Sequence, residues 1–193
     1  MSDNPQVSAG PQDSYATEQT FRDLNVHPDL CAALEAQGIV QAFPIQAMTI
    51  ADALAGRDVC GKAKTGSGKT LGFGLPMLQR VAASPAPDLG PNPPARPRGL
   101  VLLPTRELAV QVFEVLEPLG QALGLRLCAV YGGADIERQV KQLRKGCDII
   151  IATPGRLIDL GDRGEVNVEG LDILVLDEAD RMADMGFMPQ VEW

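Results

Sequence analysis

Ala63-Lys64-Thr65-Gly66-Ser67-Gly68-Lys69-Thr70 sits between a short apolar run, Asp58-Val59-Cys60-Gly61, and an amphipathic stretch that opens with Lys69 and Thr70. Strand, glycine turn, helix is the local order this implies. A helix N-terminus presents unpaired N–H groups and the positive end of the peptide dipole, and Gly66 and Gly68 let the backbone curl around an anion without a Cβ in the way. A phosphate chain fits that description. Lys69 is placed to reach the outer phosphates, and the Thr70 hydroxyl to ligate Mg²⁺. A turn that only caps a helix accounts for the glycines but leaves Lys69-Thr70 unexplained.

A second stretch, far along the chain, completes the reading. Leu171-Asp172-Ile173-Leu174-Val175-Leu176 is a near-continuous apolar run of the kind expected for a strand buried on both faces of a parallel sheet, and it delivers Asp177-Glu178-Ala179-Asp180 at its carboxyl end. Ligands of open α/β sheets bind at that end. Asp177 is the candidate to hold Mg²⁺, through water, and Glu178 the candidate to accept a proton from a water attacking a γ-phosphate. Taken alone, the acidic tetrapeptide also reads as a solvated turn; paired with the lysine loop it reads as a site.

Composition bounds what the chain can be. With 193 residues, 45% of them hydrophobic, it suits one domain with a sizeable core. Its apolar runs are of strand length, well short of the roughly 18 residues of a helical membrane crossing. Residues 1–20 hold no Lys or Arg, so neither a secretory nor a transit signal is expected and the cytoplasm is the default location. Cys31, Cys60, Cys128 and Cys147 are widely spaced and only one histidine is present, which argues against a zinc site or a disulfide framework. Cys60, Cys128 and Cys147 lie in or beside apolar runs and are expected to be reduced core residues. The net charge of −8 opposes long-range attraction to any polyphosphate.

Residues 1–20 are polar and aperiodic and read as a disordered tail, with folding expected to begin near Phe21. Pro28 opens a short helix that Gly38 closes, and Pro44 opens a second, with Ile45, Met48 and Ala51 on its inner face and Gly56 at its end. A first strand is expected around Asp58 to Gly61. Following a helix from Lys69 to Ala83, the proline-dense segment 84–98 supports neither helix nor ladder and reads as an exposed, polyproline-like connection. Further strands are expected at Gly99 to Leu103, Leu125 to Val130, Asp148 to Ile151 and Leu171 to Leu176. Between them lie a long amphipathic helix from Leu108 to Gly124, with Pro118 as a kink, a helix through Ile136, Val140 and Leu143, and a turn or two over Arg156 to Leu160. Five strands alternating with helices make an α/β parallel sheet with right-handed crossovers.

Several separate stretches agree with one family. From Phe21 to Trp193 the chain resembles the first RecA-like domain of a DEAD-box ATP-dependent RNA helicase, a P-loop NTPase fold. The resemblance rests on the phosphate loop and the acidic tetrapeptide together with Pro104-Thr105-Arg106-Glu107-Leu108-Ala109, Gly132-Gly133, Thr153-Pro154-Gly155-Arg156 and Arg181-Met182-Ala183-Asp184-Met185-Gly186-Phe187. It implies ATP and Mg²⁺ as ligands, with Ala63, Lys64, Thr65, Gly66, Ser67, Gly68, Lys69 and Thr70 around the phosphates and Thr70 and Asp177 at the metal. Lys69, Asp177 and Glu178 then form the catalytic set, and Asp180 couples the motif to its neighbours. Pro104, Thr105, Arg106, Gly133, Thr153, Pro154, Gly155 and Arg156 would line the RNA backbone, offering N–H groups and hydroxyls to phosphate or 2′-OH without reading sequence. Such contacts need few basic side chains, which eases the charge objection. Singly, these residues also read as helix caps, surface ion-pair partners and a tight turn.

Adenine recognition departs from the family's pattern. Gln46 matches the glutamine that reads the base edge, and Phe21 matches a distant upstream aromatic. Ile39, however, follows Gly38 where the family usually has Phe or Tyr, and Ala42-Phe43 replaces Pro-Thr. An aliphatic face under the base is the implied consequence, with Phe43 a candidate to compensate. The family's Ser-Ala-Thr segment, whose strand lies between the phosphate-loop strand and the acidic strand, is not found up to Trp193, nor is the second RecA-like domain with its arginine finger. The chain is therefore expected to be a part of a helicase that hydrolyses ATP poorly alone, since such a finger is worth about 10³–10⁵ in rate. Two alternatives stay open from sequence: an ATP-switched RNA clamp without catalysis of unwinding, and a P-loop DNA translocase.

Overall fold

In the computed structural model, residues 17–64, 66–85 and 94–192 are described. Four strands, β1 (Gly99–Leu102), β2 (Leu127–Val130), β3 (Ile149–Ala152) and β4 (Ile173–Leu176), form one sheet in the order β2-β3-β1-β4. Every neighbouring pair is parallel, in registers such as Leu100 opposite both Ile150 and Leu174. Parallel strands need crossovers, and the chain supplies them as α4 (Arg106–Ala122), α5 (Ile136–Leu143) and α6 (Pro154–Asp162). Ahead of the sheet come α1 (Pro28–Glu35), α2 (Pro44–Leu54) and α3 (Lys69–Ala83); after it come the short α7 (Ala179–Asp184) and α8 (Met188–Val191).

The period-2 alternation of side chains divides the core in two. Val101, Leu103, Ile149 and Ile151 face one side and pack with Leu30, Leu34, Ile50, Leu75, Leu78 and Leu116 from the first four helices. Leu100, Leu102, Ile150 and Ala152 face the other and pack with Val140, Leu143, Leu157 and Leu160. Both faces are thus covered over the middle of the sheet, the condition for an all-parallel sheet. α3 and α4 approach closely at Gly74, where an added Cβ would stand 2.3 Å from Leu116 Cδ2.

Helices follow their sequence signals closely. Pro28 and Pro44 sit in the first turns of α1 and α2, Thr105 Oγ1 accepts the Leu108 N–H as the cap of α4, and Asp135 caps α5 by accepting from Glu137 N–H. α4 continues through Pro118.

Several expectations fail, each for a physical reason. Asp58 to Gly61 is not a strand: it is exposed and has no ladder partner, because no strand among the described residues lies beside it to accept its hydrogen bonds. β4 is half-buried on one face and exposed on the other. Ile173 and Val175 pack partly buried on the first cluster, whereas Leu174 is 52% and Leu176 40% exposed and neither joins the second cluster, to which their neighbours Leu100 and Leu102 belong. Met48 does not face inward in α2; the buried positions are Gln46 and Ile50, and Met48 is 74% exposed. Cys60 is exposed with the unpaired segment around it, whereas Cys128 and Cys147 are buried as expected. At the N-terminal side, Thr17 already donates to Ala42 O and Thr20 bridges Gln41, so order begins ahead of Phe21; residues 1–16 lie outside the described residues. In the proline-dense connection, residues 86–93 likewise lie outside, but its far end belongs to the fold: Ala95 bridges Val166, and buried Arg98 pairs with Asp148 at 2.7 Å while donating to the carbonyls of Val81 and Ser84 at the end of α3.

Candidate functional site

Because all four strands run the same way, their carboxyl ends open onto one edge of the molecule, and every sequence-derived site segment that follows a strand lies there. Pro104 to Arg106 follows β1, Gly133 follows β2, Thr153 to Arg156 follows β3, and Asp177 and Glu178 follow β4. The ladder continues into these turns, with Asp177 N–H donating to Leu102 O and Thr153 N–H to Val130 O. Rigid strands therefore set the positions of the reactive groups.

The phosphate loop meets the acidic strand at this edge. Lys69 Nζ, at the first position of α3, lies 3.1 Å from Glu178 Oε1 and 3.8 Å from Asp177 Oδ1. All three side chains are between 14% and 25% exposed, which places the cluster in a partly desolvated setting where charge interactions are felt more strongly than in water. Burial pushes the Asp177 carboxyl above its ordinary range, the Lys69 ammonium pulls it back, and the Glu178 carboxylate adds to the rise. Glu178 is one of two non-glycine residues with positive φ among those described, at 55°. Its N–H donates to Asp177 Oδ1 at 3.0 Å and its carbonyl accepts the Met182 N–H, so the left-handed backbone is held on both sides.

The loop itself is a glycine cradle. Gly66 and Gly68 have φ of 82° and 83°, and Gly68 is the cap of α3. A Cβ at Gly68 would sit 2.4 Å from Gln46 Nε2, so glycine is required there by packing as well as by conformation. Gln46 is buried against it: Nε2 donates to Gly68 O at 2.9 Å and Oε1 accepts the Phe43 N–H at 2.8 Å. Both ends of this amide are engaged in the protein, and the glutamine of the sequence reading is a structural link between α2 and the loop. Ser67 Oγ is buried without a partner among the described residues. Ala63, Lys64 and Thr70 flank the cradle, while Thr65 lies outside the described residues. Phe21 is 2% exposed and packed into the core beside Leu24, Val26 and Leu30, so it offers no open face to a base; its aromatic character serves packing here. Ile39 packs partly buried against the same cluster.

A second group assembles from the ends of β1, β2 and β3. Arg106 Nη1 donates to Gly133 O at 3.2 Å, and its guanidinium lies over the Tyr131 ring, 5.1 Å from the centroid. Arg156 Nη2 donates to Ala134 O at 3.1 Å and Nη1 to Gln139 Oε1 at 2.9 Å. The two arginines thus grip successive carbonyls of the loop after β2. An added Cβ at Gly155 or Gly132 would meet nothing within 4 Å, so the surface over these loops is open. Asp180 is exposed near the start of α7 and bonds only to the N–H of Arg181 among the described residues.

Gln139 and Tyr131 were not singled out from sequence. Gln139 is 5% exposed; it anchors Arg156 and donates through Nε2 to Tyr131 O at 3.2 Å. The signal was a polar residue on the apolar face that Ile136, Val140 and Leu143 define.

The donors at the first group are all hard oxygen atoms beside one lysine, a set that suits Mg²⁺ with a phosphate chain. No group of three His, Cys, Asp or Glu side chains that could by itself hold a metal ion forms among the described residues. No helix among them is long and apolar enough to cross a membrane.

Comparison with known proteins agrees with this geometry. A family model described as DEAD/DEAH box helicase matches residues 43–193. The chain is 44% identical over 180 residues to proteins named ATP-dependent RNA helicase RhlB from Shigella dysenteriae and Erwinia tasmaniensis, covering 93% of this chain and 42% and 41% of theirs. Among solved structures it resembles the RNA helicase Prp28 from Chaetomium thermophilum bound to ADP, with a TM-score of 0.80 at 34% identity over 92% of this chain and 42% of that one. A hypothetical ATP-dependent RNA helicase from Sulfolobus tokodaii gives 0.73 at 33% identity over 84% of this chain and 44% of that one. The chain thus spans about two fifths of the length of these relatives. Fold, site geometry and relatedness converge: the chain belongs to the DEAD/DEAH box helicase family, as an N-terminal RecA-like domain.

Proposed function

We propose that this chain is the ATP-binding part of an ATP-dependent RNA helicase. The observation that carries the reading is the meeting of Lys69 with Glu178 and Asp177, at 3.1 and 3.8 Å, on the edge where the turns of the other three strands also open. Lys69 and the loop N–H groups bind the β- and γ-phosphates of ATP. Thr70 and Asp177 hold Mg²⁺, and Ser67 Oγ finds its partner on the bound nucleotide. When bound, Mg²⁺ neutralises charge on the phosphate oxygens. Glu178 leaves Lys69 for the attacking water and takes its proton. Gln46 turns from Gly68 to the adenine edge, so that reading the base and reshaping the phosphate loop are one motion. Phe43, whose ring also presses on Gly68, flanks the base.

RNA lies across the second group. Thr105, Gly133, Thr153 and Gly155 meet its backbone, with Pro104 and Pro154 fixing the turns, and Arg106 and Arg156 hold the loop after β2 in shape. Backbone-level contact of this kind is compatible with the net charge of −8. A second RecA-like domain completes the cleft and supplies the arginine finger, while Asp180 couples the acidic motif to it. Differential affinity of the closed, two-domain state for ATP and RNA is what links hydrolysis to local strand separation.

The test uses a protein spanning both domains: ATP turnover is measured with RNA, with single-stranded DNA and with neither, alongside displacement of a short RNA duplex. RNA-stimulated turnover with strand release supports the reading. Stimulation by DNA alone points to a translocase, and RNA retention without release points to a clamp.

A further inference from the structure

β2 is an open edge of the sheet. Its inner neighbour β3 takes the backbone groups of the even residues, since Ile149 N–H donates to Arg126 O and Thr153 N–H to Val130 O. In a parallel strand the odd residues then face away. The N–H and C=O of Leu127 and Ala129 therefore point out of the sheet, and no backbone bond among the described residues outside helices and ladders satisfies them. Beside this edge runs a groove of about 480 Å³. α4 contributes Phe113, Glu114 and Glu117 to its lining and β2 contributes Leu127 and Ala129, while Arg126, which donates to the Lys145 carbonyl, and Lys145 bring positive charge away from α4.

The groove's shape and chemistry select an occupant. An added strand lies about 4.8 Å from the edge and advances about 3.3 Å per residue, so a segment of some four residues would pair along β2. Affinity in that mode comes from main-chain hydrogen bonds, and specificity from pockets for alternate side chains. Phe113 and Leu127 offer an apolar contact, while Glu114 and Glu117, three apart on α4, lie on one helical face and offer a cation site. A chain of net charge −8 adds long-range attraction for the same class of partner.

We propose that the β2 edge and the α4 groove bind an extended, basic segment of another protein, one that alternates apolar and cationic residues, as an additional strand. The surface lies on an edge strand with α4 as its wall, apart from the Lys69–Asp177–Glu178 group, and it ends at Tyr131, over which Arg106 lies.

Because main-chain bonds supply the affinity, a generic probe is adequate: an acetylated, amidated hexapeptide of alternating valine and lysine, compared with the same peptide N-methylated at every residue, so that neither of its edges can donate. Hydrogen exchange of the chain's amides is followed with each. The expected result is at least about tenfold slower exchange at Leu127 and Ala129 with the unmethylated peptide and none with the methylated one, which has the same charge. Ala129→Pro, which removes an outward N–H and leaves the β2–β3 ladder intact, should abolish the effect, and Glu114→Lys should weaken it. Equal protection by both peptides, protection confined to other regions, or no protection at millimolar peptide would overturn the proposal. So would a concentration-dependent dimer paired through β2 that excludes the peptide, which would give the edge to a second copy.

Discussion

The corner where β4 meets the phosphate loop and the corner spanning the ends of β1, β2 and β3 use similar residues in opposite ways. At the first, the ligand-directed groups neutralise one another: Lys69 lies on Glu178, 109 residues away in sequence, and Gln46 spends both ends of its amide on Phe43 and Gly68. At the second, the arginines bind backbone carbonyls of Gly133 and Ala134 and leave the loop surface open. Binding at the first corner is an exchange of partners, so it is sensitive to any change in charge. Binding at the second is an addition to a surface already shaped. On the proposed function, that difference would let an acidic chain serve an RNA, with the arginines holding the loop after β2 and the loops making the contacts.

The comparison breaks most visibly at the acid. In a two-domain protein, Glu178→Gln is expected to lower ATP turnover by about 10²–10⁴-fold while ATP affinity moves little, as read by steady-state hydrolysis and calorimetric titration. Turnover within twofold of the parent would remove Glu178 from the role of base. Lys69→Ala comes next, with ATP affinity falling about 10²-fold, or roughly 2.7 kcal/mol, and RNA affinity without nucleotide unmoved. If both affinities fell together, the two corners would not be separable. Gln139→Leu removes the anchor of Arg156 and should weaken RNA binding by about tenfold, the scale of one hydrogen bond to a charged group, with ATP affinity in the absence of RNA unchanged. Fluorescence anisotropy with labelled RNA reads the first quantity, and because leucine keeps close to the volume of glutamine, the loss reports the hydrogen bonds of the amide. The smallest effect belongs to Met48→Lys, on the solvent side of α2, which should change thermal stability by no more than about 0.5 kcal/mol.

How far the sequence was legible follows the same divide between local and distant. Helix boundaries are readable where proline, glycine and capping residues act within one turn: Pro28 and Pro44 mark their helices as expected, while the long helix starts at Arg106 behind a Thr105 cap, two residues ahead of the expected Leu108. The phosphate loop and acidic turn were readable because their chemistry requires those residue types in that spacing. Asp58 to Gly61 misled because an apolar run states a preference for a ladder and says nothing about whether a neighbour is there to complete it. Met48 misled because the inner face of α2 is set by the contact of Gln46 with Gly68, a polar choice that hydrophobic periodicity cannot register. Phe21 matches a distant upstream aromatic by resemblance, and that match says nothing of its setting in the core with residues of α1. Gln139 escaped notice because its two partners, Arg156 and Tyr131, come from separate turns that only the parallel topology brings together.

The account stands on Lys69 and Asp177 sharing one nucleotide and its metal. ATP affinity measured by calorimetry with Mg²⁺ and with a chelator, in the parent chain and in Asp177→Asn, addresses this directly. The expected result is a gain of at least about tenfold on adding Mg²⁺ to the parent and little or none in the variant. An equal Mg²⁺ gain in both proteins would contradict it.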